Sequence, residues 1–174
     1  QSFIKCTRMA GLIAASSRRL LQLTRPAAQR RLSANVKYQV TFLEMRERPL
    51  YSADELALPP ECAVVRATKP PAWYFLALYR AVGAAHEWTD WLRRPAEEVD
   101  ALVAHQKVQL HTLVRHGAPA GFFMLDGRGG DAACNDKGGS SSSVVELMYF
   151  GLTPEALGLG LGSRLLRTAV NEAW

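Results

Sequence analysis

The stretch Glu146–Leu166, ELMYFGLTPEALGLGLGSRLL, decides the fold of this chain. β-Branched and aromatic residues in Val144–Leu152 predict a strand. Apolar residues recur at helical spacing from Leu161 onward, which predicts a helix. Between the two, three glycines alternate with leucines over Gly158–Gly162. Glycine lets the backbone turn tightly and approach a ligand, and the N–H groups that open a helix bind anions. The stretch therefore predicts a strand, a phosphate-binding turn and a helix.

Two better-known phosphate loops are excluded by the residues around these glycines. No Lys-Ser or Lys-Thr pair follows Gly162, so the turn is not a P-loop. The spacing is G-x-G-x-G, which differs from the G-x-G-x-x-G of dinucleotide-binding folds. The glycines alone leave a second interpretation open, a tight strand-to-helix turn that only packs against its own sheet.

Composition excludes several classes of protein. The chain has 174 residues, of which 48% are hydrophobic and 21% charged, so it is not disordered as a whole. No apolar run approaches the roughly 18 residues of a membrane helix, so no membrane span is expected. Three widely spaced cysteines exclude a disulfide framework and a cysteine-based zinc site. The four histidines lack metal-ligand spacing, and no metal is expected.

The positive charge is concentrated at the N-terminus. Residues 1–43 hold eight basic and no acidic residues, whereas the rest of the chain has a net charge of −3. The segment Met9–Leu32 is rich in Arg, Ala, Leu and Ser, a composition typical of a mitochondrial transit peptide. We therefore expect a presequence over residues 1–32, with residues 1–8 as translated upstream sequence, and a mature domain over residues 33–174. The alternatives are plastid targeting, or a basic arm that stays on the protein and binds lipid or RNA.

The remaining pattern predicts a mixed architecture with strands outnumbering helices. The glycine- and serine-rich Gly127–Ser143 predicts a loop inserted in a hairpin. A polar, proline-bearing connection is expected over Arg46–Pro60. Strands are predicted at Val36–Met45, Glu61–Thr68, Val108–Arg115, Pro119–Leu125 and Val144–Leu152, and helices at Ala72–Ala85, Pro95–His105 and from about Leu161.

Several segments together resemble the GCN5-related N-acetyltransferase (GNAT) superfamily, in particular a bacterial-type subfamily. The glycine turn is similar to its Gln/Arg-x-x-Gly-x-Gly/Ala motif, with Leu157 at the Gln/Arg position and Leu159 where a basic residue is usual. The resemblance covers Val36–Trp174. It is carried by Tyr74–Gly83, Trp88–Asp90, Gly121–Asp126, Glu146–Glu155 and Leu157–Gly162.

The resemblance implies an α/β (α+β) fold, a mostly antiparallel mixed sheet flanked by helices. Since the family continues with further strands after the motif helix, it also implies that C-terminal strands are missing. The implied activity is direct transfer of an acetyl group from acetyl-CoA to a small-molecule or protein amine; the presequence-like segment adds the mitochondrial matrix as the expected location. The alternative is a non-catalytic GNAT-fold subunit of a mitochondrial assembly such as a respiratory complex or the ribosome. No specific nucleic-acid partner is expected, because the main domain is mildly acidic.

The resemblance also assigns candidate roles to residues. Glu146 corresponds to a glutamate general base and is expected to share a strand face with Met148 and Phe150; a structural ion pair is the other interpretation. Trp88 and Asp90 stand where acceptors bind in the family, with packing and helix capping as the other interpretation. Cofactor contacts are expected from Phe150, Gly151, Leu152, Leu157, Gly158, Leu159, Gly160, Leu161, Gly162 and Ser163.

Overall fold

The protein is described by a computed structural model that places residues 3–6, 43–129 and 144–174. Three short 3₁₀ turns, at Ala84–His86, Trp91–Arg93 and Pro154–Ala156, join some of its elements. The strands are β1 Phe3–Cys6, β2 Leu43–Met45, β3 Cys62–Ala67, β4 Val108–Arg115, β5 Ala118–Asp126 and β6 Val144–Leu152. The helices are α1 Ala53–Leu56, α2 Ala72–Gly83, α3 Ala96–Val103 and α4 Leu161–Glu172.

One six-stranded mixed sheet runs in the order β2-β1-β6-β5-β4-β3. Strands β3 to β6 form its antiparallel part, which confirms the predicted fold class of a mostly antiparallel sheet flanked by helices. The β4–β5 hairpin closes through His116 and Gly117, both at positive φ. That geometry is a type I′ turn, whose twist matches the twist of paired strands.

Aromatic residues fill the face of the sheet that α2 and α3 cover. Phe75 and Tyr79 of α2 are fully buried, and Trp88 lies against Tyr79, Tyr149 and Phe122. No Cβ would fit at Gly83, because it would collide with the Trp88 side chain. This face, called the α2 face below, is therefore a closely packed network of rings.

The opposite face, called the α4 face, is mostly aliphatic. Leu161, Leu165 and Ala169 of α4 are buried against strand residues such as Leu113 and Leu147. Helix α1 is held beside α4, since Arg164 donates to the carbonyl oxygens of Ala57 and Asp54. The two faces enclose the sheet between separate cores.

Most predicted elements form where the sequence placed them. The strands predicted at Val108–Arg115 and Val144–Leu152 have those bounds. The expected connection over Arg46–Pro60 instead contains α1, which begins with a capping box between Ser52 and Glu55. Of the strand predicted at Val36–Met45, only residues 43–45 lie within the described part. The proposed transit helix Met9–Leu32 and most of the predicted loop Gly127–Ser143 lie outside the described residues.

Strand β1 was not predicted. Phe3–Cys6 pairs in parallel with Val144–Leu147 of β6 and in antiparallel with β2. The sequence predicts that residues 3–6 belong to a segment outside the domain, whereas the structure places their backbone in the sheet. Within the described residues, the pairing extends to Leu147, midway along β6.

Candidate functional site

The second half of β6 carries backbone groups that point away from its neighbour β5. The amide of Thr153 donates to the carbonyl oxygen of Ala120 at 2.9 Å, which marks a hydrogen-bonded cross-strand pair. Because such pairs alternate along antiparallel strands, Gly151 bonds to β5, whereas Phe150 and Leu152 turn their N–H and C=O groups outward. The described part of β1 lies beside Val144–Leu147, so within the described residues no strand faces these outward groups. The result is an open edge with donors at two alternate residues.

A β-bulge at Met148 corrects one expectation about this strand. The register runs from Met124–Tyr149 to Leu125–Leu147 and skips Met148. Leu147 and Phe150 therefore contact the α4 face, whereas Met148 contacts the α2 face. Glu146 shares a face with Met148 as predicted but not with Phe150, because the extra residue reverses the alternation.

The glycine turn leads from the end of β6 into α4. Gly158 and Gly160 have φ values of 77° and 71°, which non-glycine residues rarely adopt. A Cβ at either glycine would meet nothing within 4 Å, so the space beside the turn is open. Helix α4 begins after Gly160 with no side-chain cap on its first amides. These amides and the helix dipole together suit a phosphate group.

The turn and the open edge of β6 lie side by side. A Cβ at Gly162 would stand 3.7 Å from Cδ1 of Leu152. The structure therefore brings together two predicted groups of cofactor residues, Phe150–Leu152 and Leu157–Ser163. Leu157 and Leu159 are 52% and 46% exposed, so the turn presents apolar side chains where a cation would attract phosphate. The donors that these positions offer to an anion are therefore mainly backbone N–H groups.

Glu146 lies at the other end of β6, among charged residues. It stands opposite Asp126 on β5, and Asp126 receives hydrogen bonds from the Arg128 guanidinium at 2.6 to 3.0 Å. Burial raises the pKa of Asp126, but the hydrogen bonds from Arg128 outweigh it, so the net direction is downward. The hydrogen bond with Asp126 raises the pKa of Arg128, and the nearby charge of Glu146 adds to this. From Glu146 to Gly151 the strand spans about 17 Å.

The two residues predicted to contact the acceptor, Trp88 and Asp90, differ in burial. Trp88 is 6% exposed and belongs to the ring network of the α2 face. Asp90 is exposed and its carbonyl oxygen accepts a hydrogen bond from the amide of Arg93. The ring contacts of Trp88 support its packing interpretation. The acceptor role of both residues stays a prediction.

The structure adds a packing role for Gly151, which was predicted only as a cofactor contact, and a role for Arg128, which was not predicted at all. Gly151 allows α2 to approach β6, because a Cβ there would collide with Cγ1 of Val82. A glycine inside an otherwise apolar strand is the sequence signal for such an approach. Arg128 stands in a glycine-rich segment that predicted only a loop, and nothing in its neighbours indicated the pair with Asp126.

Within the described residues, no cluster of three or more His, Cys, Asp or Glu side chains could hold a metal ion. None of the helices in the same residues is both long and apolar enough to cross a membrane.

Comparisons with known proteins show the fold. No family model matches the chain, and no curated protein is significantly similar in sequence. An aminoglycoside acetyltransferase from an uncultured soil metagenomic sample, crystallised with sisomicin, aligns with a TM-score of 0.51. The chain therefore shares the fold of that acetyltransferase. The alignment has 14% identity and covers 64% of this chain and 68% of that one. A ribosomal-protein-alanine N-acetyltransferase from Brucella melitensis aligns with a TM-score of 0.43, at 12% identity over 64% and 71% of the two chains.

Proposed function

We propose that this chain is an acetyl-CoA-dependent N-acetyltransferase that acts on a small-molecule or protein amine. The observation that carries the proposal is the continuity between the open edge of β6 and the uncapped start of α4. An extended amide-containing arm pairs naturally with the outward backbone groups of Phe150 and Leu152, and a pyrophosphate suits the glycine turn. The solved acetyltransferase with the same fold supports this class of reaction.

The chain's own residues supply three contributions. The turn Gly158–Gly162 binds the phosphates through main-chain N–H groups. An outward N–H of β6 stabilises negative charge on the thioester oxygen. Glu146 takes a proton from the acceptor ammonium, whose pKa of about 10.4 for a lysine-like amine would otherwise keep it unreactive.

Acetyl-CoA supplies an acyl carbon activated as a thioester. The amine nitrogen attacks that carbon, the C–N bond forms and the C–S bond breaks. One proton goes from the ammonium through bridging water to Glu146 and on to solvent, because Glu146 lies too far along β6 for direct contact, and the second goes from nitrogen to the departing thiolate. The carboxylate of Glu146 is therefore regenerated after each transfer.

Calorimetry with acetyl-CoA and a non-reactive desulfo analogue tests the cofactor site. The variant Gly160→Asp tolerates the positive φ comparatively well, but it puts a negative charge at the start of α4. We expect an affinity at least tenfold weaker than that of the wild-type chain, because one charge-assisted hydrogen bond contributes about 1.5–3 kcal/mol.

Gly117→Asp is the matched control, because Gly117 also has a positive φ and open space around it, but lies in the β4–β5 turn. It should bind acetyl-CoA like the wild type. No binding by a folded wild-type chain, or equal effects of the two variants, would contradict the proposal. That result would favour the non-catalytic subunit of a mitochondrial assembly.

We also propose the mitochondrial matrix as the site of action, on the composition of Met9–Leu32. A fusion of residues 1–32 to a fluorescent protein should enter mitochondria. Entry into plastids, or retention in the cytosol, would overturn this part of the proposal.

A further inference from the structure

Two carboxylates stand directly opposite each other on neighbouring strands. Asp126 of β5 and Glu146 of β6 are cross-strand partners, and like charges in such a position destabilise a sheet. The Asp126 side chain is only 8% exposed, so its charge is poorly screened by solvent. A cation is therefore needed beside this pair.

Arg128 supplies that cation in a fixed orientation. Its Nε donates to both carboxylate oxygens of Asp126, its Nη2 donates to Oδ2, and its backbone amide donates to Oδ1. Such a two-pronged geometry holds the guanidinium plane more firmly than a single contact. The charge of Glu146 acts on Arg128 as well, so the cation lies within electrostatic reach of both carboxylates.

Other ionisable residues of the described chain have their backbone positions near this end of β6. His105 acts electrostatically on Asp126, and the carbonyl of Lys107 accepts a hydrogen bond from Gly127. Lys5 of β1 occupies the register position beside Glu146. Arg128 differs from them in being fixed by four hydrogen bonds to the residue opposite Glu146.

We propose that Arg128, held by Asp126, is a positioning residue that keeps Glu146 ionised and ready to accept the ammonium proton. The pair explains how a partly buried carboxylate next to another carboxylate can still act as a base near neutral pH. The inference rests on the proposed function, because it assigns Glu146 the role of base. An ion pair at Glu146 is compatible with this role, because a carboxylate paired with a cation can stabilise the structure and also accept a proton.

The test compares Arg128→Gln with the wild-type chain by two measurements. Carboxyl NMR titration reads the pKa of Glu146 without requiring activity, and the pH profile of kcat/KM reads the acidic limb of the reaction. Loss of an opposite charge within a few ångströms raises a carboxyl pKa by roughly 1 unit or more. We expect Glu146 to titrate at higher pH in the variant, and the acidic limb to move by the same amount.

Two further variants separate charge from structure. Arg128→Lys keeps the positive charge and should restore most of the wild-type pH profile. Arg115→Gln removes a guanidinium that lies 3.7 Å from the Glu61 carboxylate, at the end of β4 opposite the end that pairs with Asp126. This variant should leave the acidic limb of the pH profile in place. Should Arg128→Gln fail to fold, Arg128→Met, which removes the same charge but keeps an unbranched side chain, gives the same comparison.

An unchanged Glu146 titration in folded Arg128→Gln would overturn the proposal. A shifted titration with an unmoved acidic limb would also overturn it, because Glu146 would then not be the base. A wild-type chain that binds no acetyl-CoA would instead refute the proposed function, and the NMR titration alone would still decide whether Arg128 holds Glu146 ionised.

Discussion

The α2 face and the α4 face stabilise the same sheet with different chemistry. Rings in edge and tilted contacts pack the α2 face, where Trp88 lies 5.3 Å from Tyr79 and from Tyr149 between ring centroids. Aliphatic side chains pack the α4 face, and one titratable ring, His111, is buried among them. The α4 face carries the helix whose start forms the glycine turn.

The largest expected effect lies in the aromatic face. Trp88→Ala removes a 6%-exposed side chain that contacts several rings, and should lower the free energy of unfolding by about 3–5 kcal/mol. Leu165→Ala removes a fully buried side chain of α4 and should cost about 2–5 kcal/mol. Urea denaturation of both variants measures the contrast. A Trp88→Ala chain as stable as the wild type would show that the α2 face does not depend on Trp88 for stability. Trp88 would then be available for an acceptor role, and the contrast between the two faces would not hold.

The next effect is a pH dependence that belongs to the α4 face. His111 stacks on Phe123 at 4.5 Å, and burial, aided by the charge of Arg66, lowers its pKa to about 4. The unfolded chain takes up a proton below its ordinary value of 6.5, whereas the folded chain resists until about pH 4. Stability should therefore fall as the pH drops from 6.5 to 4, by roughly 3 kcal/mol in total.

His111→Gln should remove most of this slope, as measured by denaturation at several pH values. His116→Asn, at an exposed turn residue, should leave the slope unchanged. Asp126 adds a separate loss at lower pH, because its lowered pKa places its effect below its ordinary value of 3.8. A flat stability between pH 6.5 and 4 in the wild-type chain would contradict the buried neutral state of His111.

The smallest expected effect is a gain at the glycine turn. Leu157→Arg puts a guanidinium beside a binding surface that offers only backbone groups, and Leu157 is 52% exposed, so stability should change little. One added charge-assisted hydrogen bond should tighten acetyl-CoA binding about tenfold. Leu50→Arg, at a 94%-exposed position, is the control and should bind like the wild type. Equal affinities for Leu157→Arg and the wild type would mean that no anion is bound next to this turn.

The sequence predicted the elements whose patterns are local. Alternation in Val108–Arg115 and helical spacing after Leu161 gave elements that the structure confirms. Helix α1 was missed although Ser52 and Glu55 form a capping box, because four residues are too short to show periodicity.

Other features depend on residues far apart in the chain. The bulge at Met148 depends on the register of β5 against β6, so the alternation of β6 alone misplaced Phe150. The parallel pairing of β1 depends on contacts between residues near positions 4 and 145. At the site, the glycines and Glu146 stood out by residue type, but the outward amides of β6 and the pair of Asp126 with Arg128 arise only from the folded sheet.

The central claim is that backbone groups of β6 and of the start of α4 bind a coenzyme A thioester. Amide chemical shifts recorded during titration with a non-reactive CoA analogue test it most directly. We expect saturable changes in the amide chemical shifts of Phe150, Leu152 and Gly160–Gly162, and no change in the β4–β5 turn at Gly117. Shifts confined to other regions, or no shifts at all from a folded chain, would contradict it.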